Sequence, residues 1–216
     1  MRGEMVKSES SWTKKRLAVE LSKLKGFENV DVKLEQYATP SEIAADWLWK
    51  AAFKHDITGK VSVDAACGPG ILGCGALLLG AKKVYFVDKG AESVRLAQEN
   101  VDKLRKEYEI GESEFVCCDI AQFDKKIDTV LQNPPFGTKV RHQDKLFLEQ
   151  AFTVGKTIYS MHKISTRSFV EAIALDYCFK ITDLWEYDFG IKQSLPWHRR
   201  KKYVVKVGLW RMEKCR

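Results

Sequence analysis

No apolar run in this sequence approaches the roughly 18 to 20 residues that a membrane-spanning helix needs; the longest candidate, Ile71 to Ala81, is broken by glycines. The N-terminus has no apolar core of the signal-peptide kind, so the chain is expected to be intracellular, in the cytoplasm. Six cysteines are present, yet Cys67, Cys74, Cys117, Cys118, Cys178 and Cys215 include no Cys-x-x-Cys spacing. That argues against a disulfide framework and against a zinc site within the chain. Most of the six stand in apolar segments, so buried, reduced thiols and no bound metal are expected. Internal repeats and low-complexity stretches are also missing, which excludes a solenoid or an array.

What is present suits one well-cored domain: 216 residues, 45% hydrophobic and 30% charged. Residues 1–11 are polar with little to bury and are expected to be flexible, leaving 12–216 as a single domain with a helical extension at 12–55. The formal net charge is +7, and it is localised: residues 190–216 hold nine Lys/Arg against one Glu. Such a tail suits a polyanionic partner, and equally a solvated surface.

Hydrophobic spacing predicts a helix over 12–25, with Leu17, Leu21 and Leu24 on one face and Gly26 as its stop. Thr39, Pro40 and Glu42 read as an N-cap, a first-turn proline and a capping-box glutamate, opening a helix over 41–55. Strands are expected at 60–65, 83–88, 113–118, 127–132 and 157–161, with helices at 71–79, 91–108, 145–154 and 166–176. Residues 177–188 and 202–211 alternate as an antiparallel edge pair. Strands alternating with helices give an α/β fold.

Four strand exits carry chemistry. After the first, Ala66-Cys67-Gly68-Pro69-Gly70 leads into a helix, the arrangement of a nucleotide-binding loop whose missing side chains let backbone approach a ligand. The second ends in Asp88, suited to ribose hydroxyls. The third ends at Asp119-Ile120, where the carboxylate can accept from an adenine amino group while Ile120 packs on the ring; a helix-capping role suits Asp119 as well. A fourth exit is the most specific. The strand 127–132 stops at Asn133-Pro134-Pro135-Phe136, because two prolines cannot continue a central strand. The amide oxygen of Asn133 and the carbonyl of Pro134 can accept both hydrogens of one exocyclic amino group, and Phe136 offers a stacking face.

With these residues in view, the sequence resembles the archaeal and eukaryotic N6-adenine methyltransferases of small-subunit ribosomal RNA. The resemblance runs through Gly26-Phe27, Leu34-Glu35-Gln36-Tyr37, the loop from Asp64 to Gly70, Asp88, Asp119, Asn133 to Lys139, and Tyr159-Ser160-Met161-His162-Lys163. It implies a Rossmann-like class I methyltransferase fold: a seven-stranded, mostly parallel sheet with an antiparallel edge pair and helices on both faces. It implies S-adenosylmethionine as methyl donor, held by Gln36, Thr39, Asp64, Ala66, Gly68, Pro69, Gly70, Ile71, Asp88, Asp119 and Ile120. It implies Asn133, Pro134, Pro135 and Phe136 at the reacting base, and RNA contacts from Lys139, Arg141, Lys163, His198, Arg199, Arg200, Lys201 and Lys202. A small zinc-binding activator subunit, forming a heterodimer, is the partner it implies besides the RNA.

The sequence departs from the family pattern in two places. Ala66 stands where the loop usually has its first glycine, so that position must avoid positive φ or accept strain. Trp197-His198-Arg199-Arg200 replaces a Phe-His-Lys tendency. The rival readings are methylation of guanine N2 or a protein glutamine, which the same turn serves, and a non-catalytic RNA-binding or assembly protein that kept the fold.

Overall fold

The computed structural model describes residues 12–27, 39–135, 143–192 and 202–215. Thr13 starts helix α1 (Lys14–Ser22), its hydroxyl accepting the Arg16 N–H at 3.1 Å. Leu17 and Leu21, one turn apart, are buried. Helix α2 (Ser41–Phe53) buries Ala44, Trp47, Leu48 and Ala51 of the apolar face that spacing predicts, with the fifth member of that face, Ile43, half-buried. Its first turn is a correction. Pro40, not Thr39, holds the N-cap position; its carbonyl accepts from Ala44 N–H, and no side chain caps the helix. The Thr39 hydroxyl is engaged elsewhere.

Seven strands follow: β1 (Val61–Ala65), β2 (Lys83–Asp88), β3 (Glu112–Cys117), β4 (Ile127–Gln132), β5 (Gly155–Lys163), β6 (Phe179–Lys192) and β7 (Lys202–Lys214). They form one sheet in the order β3-β2-β1-β4-β5-β7-β6. The first five pair in parallel, while β7 runs antiparallel to both β5 and β6. Between them come α3 (Ile71–Leu78), α4 (Ala91–Arg105), α5 (Gln143–Val154) and α6 (Arg167–Asp176). The expected seven-stranded α/β fold with its antiparallel edge pair is the one observed.

Successive strand residues point to opposite faces, so the sheet feeds two cores. On one face Leu17, Trp47, Leu77 and Val101 pack against Phe86, Leu131, Tyr159 and Leu209. On the other, Leu148, Phe152, Val170 and Ile173 pack against Val63, Val130, Ile158 and Trp210. Gly73 and Gly75 let α3 lie close: a Cβ would sit 2.3 Å from Phe86 at the first and 2.3 Å from Leu48 at the second.

Two expectations of composition need correction. Only Cys67 and Cys74 are buried; Cys118 is half-buried, and Cys117, Cys178 and Cys215 are exposed, all as free thiols. Cys117 ends an edge strand, and Cys178 and Cys215 lie side by side just outside β6 and β7, joined by a backbone hydrogen bond of 2.8 Å. The basic tail is also not wholly surface. Arg211 is 6% exposed and donates to Asp56 at 2.8 Å, Tyr159 at 3.0 Å, Thr182 at 2.7 Å and Glu213 at 2.6 Å. One of the nine tail cations therefore ties the loop after α2 to β5, β6 and β7. Among the described residues no helix is long and apolar enough to cross a membrane.

Candidate active site

Strand order reverses between β1, whose neighbour is β2, and β4, so their C-terminal ends form a topological switch point, where open α/β sheets bind ligands. Beyond β1 the chain turns through three left-handed positions, Ala66 (φ 55°), Gly68 (φ 51°) and Gly70 (φ 81°), before α3 begins. Ala66 thus accepts the strain rather than avoiding it. Two carboxylates pin the turn. Asp64 accepts from Gly73 N–H at 2.7 Å. Asp88 accepts from Gly68 N–H at 3.0 Å with one oxygen and from Gly90 N–H at 2.8 Å with the other. Burial raises the Asp64 pKa well above the usual carboxylate range; the Gly73 hydrogen bond opposes the shift and the neighbouring Asp88 charge adds to it.

A cavity of about 1000 Å³, its open mouth included, lies over this turn. Thr39, Asp64, Ala66, Gly68, Pro69 and Ile71 line it, and so do Asp88, Asp119 and Ile120, all expected at the cofactor. Gly70 stands behind the wall, where a Cβ would come 2.9 Å from that of Ala97. Asp119 also fills the role left open for it, accepting from Ala121 N–H at 3.0 Å as the cap of the short turn 120–122. Asn133 and Pro135 border the same cavity, with Pro134 buried beside them.

The Asn133 amide is held from one side only. Its nitrogen donates to the Thr39 hydroxyl at 3.0 Å, whereas its oxygen is buried and has no hydrogen-bond partner among the described residues. An unpaired buried acceptor is costly, and this one belongs to a residue that borders the cavity. Behind it, Gln132 donates to Ser160 at 2.9 Å, and the Ser160 hydroxyl lies 2.6 Å from His162 Nε2. The Ser160 hydroxyl donates to Nε2 or accepts from it according to the ring's tautomer. Burial lowers the His162 pKa to about 3. His162 is a structural member of this chain.

Gln36, Phe136, Lys139 and Arg141 lie outside the described residues, as do His198, Arg199, Arg200 and Lys201. Lys163 ends β5 and is half-buried, and Lys202 begins β7. Among the described residues no cluster of three or more His, Cys, Asp or Glu could hold a metal ion. Residues not anticipated also line the cavity. Lys89, Gly90 and Ser93 follow Asp88 directly, and chain continuity alone could have signalled them. Phe27 and Phe147 arrive from α1's trailing segment and from α5; Gly26-Phe27 is part of the family resemblance, but no site role is implied for it there, and nothing local announces Phe147.

The cavity suits a sulfonium cofactor: a turn carrying Gly68 and Gly70 beside the acidic side chains of Asp88 and Asp119, able to face hydroxyls and positive charge. A sheet of this order with this turn, Asp88 and the Asn-Pro-Pro corner around one cavity defines a class I S-adenosylmethionine-dependent methyltransferase. The family model for the methyltransferase small domain matches residues 43–157. An rRNA N(6)-adenosine-methyltransferase of Drosophila melanogaster, Mettl5, is 35% identical over 92% of this chain and 95% of its own. The zebrafish (Danio rerio) rRNA N(6)-adenosine-methyltransferase, METTL5, is 32% identical over 88% of this chain and 94% of its own. A crystal structure from Pyrococcus horikoshii, of a protein suggested to be an RNA methyltransferase, superposes with a TM-score of 0.84 at 38% identity, covering 95% of this chain and all of that one. The chain belongs to the methyltransferase small-domain family, together with these fly and zebrafish enzymes.

Proposed function

We propose that this enzyme places a methyl group on N6 of an adenosine in small-subunit ribosomal RNA, in the cytoplasm, with 12–216 acting as one domain. The observation that carries the reading is the Asn133 oxygen, buried at the cavity with no partner among the described residues while the amide nitrogen is committed to Thr39. An adenine amino nitrogen gives its lone pair to the ring and is a poor nucleophile. Asn133 Oδ1 and the Pro134 carbonyl accept its two hydrogens and draw the lone pair out of the ring plane, and Phe136 stacks on the base. S-adenosylmethionine supplies an electrophilic methyl on sulfur, so alignment and lone-pair geometry are the work left to the protein. Asp88 takes the ribose hydroxyls, Asp119 and Ile120 the adenine, and Gln36 adds a contact.

Several features support RNA as the substrate. β5 stops at Lys163, opposite Val207, while β6 and β7 continue to Lys192 and Lys202. The hairpin thus reaches about 17 Å, five residues, beyond the parallel strands on the side of Asn133. Lys163 closes β5 and Lys202 opens β7 on this side, and in this reading Lys139, Arg141 and the run His198 to Lys202 supply the cations for phosphates. The small zinc-binding activator subunit is part of the same reading.

The test is methylation of unmodified small-subunit rRNA with labelled S-adenosylmethionine, with and without that subunit, followed by digestion to nucleosides. Label in N6-methyladenosine is the expected result, and Asn133→Ala should lower turnover about 100-fold or more while keeping cofactor binding. Label in another nucleoside, or in a protein, overturns the base assignment.

A further inference from the structure

Asn100 lies on α4, is fully buried, and the chemistry above makes no use of it. Its side chain is nonetheless fully engaged. The oxygen accepts the Lys25 N–H at 2.8 Å, and the nitrogen donates to the Lys25 carbonyl at 3.0 Å and to the Pro69 carbonyl at 2.9 Å. One amide therefore joins the segment after α1 to the turn that underlies the cavity. Two further contacts stitch the segment to α4: Lys103 donates to the Lys23 carbonyl at 2.8 Å, and Lys25 pairs with Glu99 at 2.7 Å.

Two residues past Lys25, Phe27 lines the cavity. Its ring lies 3.4 Å from where a Cβ would stand on Gly68. The segment lies outside residues 43–157, the stretch matched by the family model.

We infer that residues 23–27 form a wall of the S-adenosylmethionine site, with Phe27 contacting the cofactor and Asn100 as the positioning residue that fixes Phe27 against the glycine turn. The inference rests on the cofactor assignment and not on the choice of RNA base. A half-buried aromatic ring on a cavity wall gives apolar area and a π face to a cationic ligand, and it does so only when its backbone is fixed. The three Asn100 hydrogen bonds supply that constraint.

The experiment measures S-adenosylhomocysteine and S-adenosylmethionine affinity by calorimetry, together with the melting temperature of the cofactor-free protein, for the wild type, Phe27→Ala, Phe27→Leu, Asn100→Ala and the double variant. Phe27→Ala should raise both Kd values by about tenfold, with the larger rise for the cationic S-adenosylmethionine, and leave the cofactor-free melting temperature unchanged. Phe27→Leu should recover part of the loss. Asn100→Ala should weaken binding to a similar degree, and the double variant should be no weaker than the worse single one, because both act through the same ring. Wild-type affinity is the control for the cofactor assignment itself: absent binding there overturns that assignment. Normal wild-type binding with a Phe27→Ala Kd within twofold overturns the inference, and fully additive losses overturn the role given to Asn100. If Asn100→Ala does not fold, Phe27→Ala decides the wall by itself, and the Asn100 role is then read from Asn100→Ser in the same cycle.

Discussion

The Asn133 amide nitrogen donates to the Thr39 hydroxyl at 3.0 Å, across 94 residues of sequence. That bond selects which end of the amide is left for a substrate. Replacing Thr39 by valine keeps the shape and removes the acceptor, so the amide can rotate. Turnover on rRNA should then fall about tenfold or more under single-turnover conditions at saturating cofactor. Thr39→Ser should retain it. Equal rates for valine and threonine would show that the amide is oriented by something else.

Ala66 holds φ 55° in the turn after β1. An L-residue there costs about 1–2 kcal/mol, partly offset by the smaller unfolded-state freedom of alanine relative to glycine, about 0.4–1 kcal/mol. Ala66→Gly should therefore stabilise the protein by up to about 1 kcal/mol, raising the melting temperature by about 2–4 °C, with cofactor affinity kept. Thermal melts with and without S-adenosylhomocysteine check both halves.

His162 is neutral in the fold, its pKa lowered by burial to about 3 from 6.5. Below pH 6.5 the unfolded chain takes up a proton that the folded chain refuses, so stability is lost as pH falls from 6.5 toward 3. The slope approaches about 1.4 kcal/mol per pH unit from this one group. Asp64 works the other way. Its folded pKa is raised, so it adds stability at low pH that fades as pH climbs above 3.8. The histidine contribution is isolated by difference: urea unfolding of His162→Gln between pH 4 and pH 7 should show a shallower acid loss than the wild type.

Arg211 meets Asp56, Tyr159, Thr182 and Glu213 while 6% exposed. Truncating one member of a buried ion pair leaves the other charge unmatched, and Arg211→Ala should cost about 3–5 kcal/mol in denaturant unfolding. Replacing Arg211 by methionine and Asp56 by leucine together should recover much of that loss, since the uncompensated charge is then removed with its partner.

Local pattern carried much of this molecule. β2 and β4 run over the expected residues because a β-rich stretch ends in each case at a residue with a reason to stop it, Asp88 and Asn133-Pro134. Thr39 departs from its expected role for the opposite reason: Thr-Pro-Ser-Glu satisfies a local capping rule, while the partner of its hydroxyl, Asn133, stands 94 residues away, just past β4. β5 is longer than expected, spanning Gly155–Lys163 rather than 157–161, because ladders with β4 and β7 recruit residues of weak intrinsic β preference. β6 and β7 likewise extend to Lys192 and Lys214 once they pair with each other. Phe27 and Asn100 were illegible as site residues, since their partners are set by how α1's trailing segment meets α4.

β7 lies between β5 and β6, although it is made after both. As the chain leaves the ribosome, β6 has no place in the sheet until residues 202–214 emerge to bridge it to β5. Until then β5 exposes an open edge, and Tyr159, which donates to Asp56 at 2.8 Å, and Asp56 itself lack the Arg211 guanidinium. Parallel core strands can assemble early, but closure of the sheet is a late, long-range event, and such events are slow and prone to mispairing. A destabilising change in β7 should thus reduce the yield of folded protein during synthesis before it alters the chemistry at Asn133.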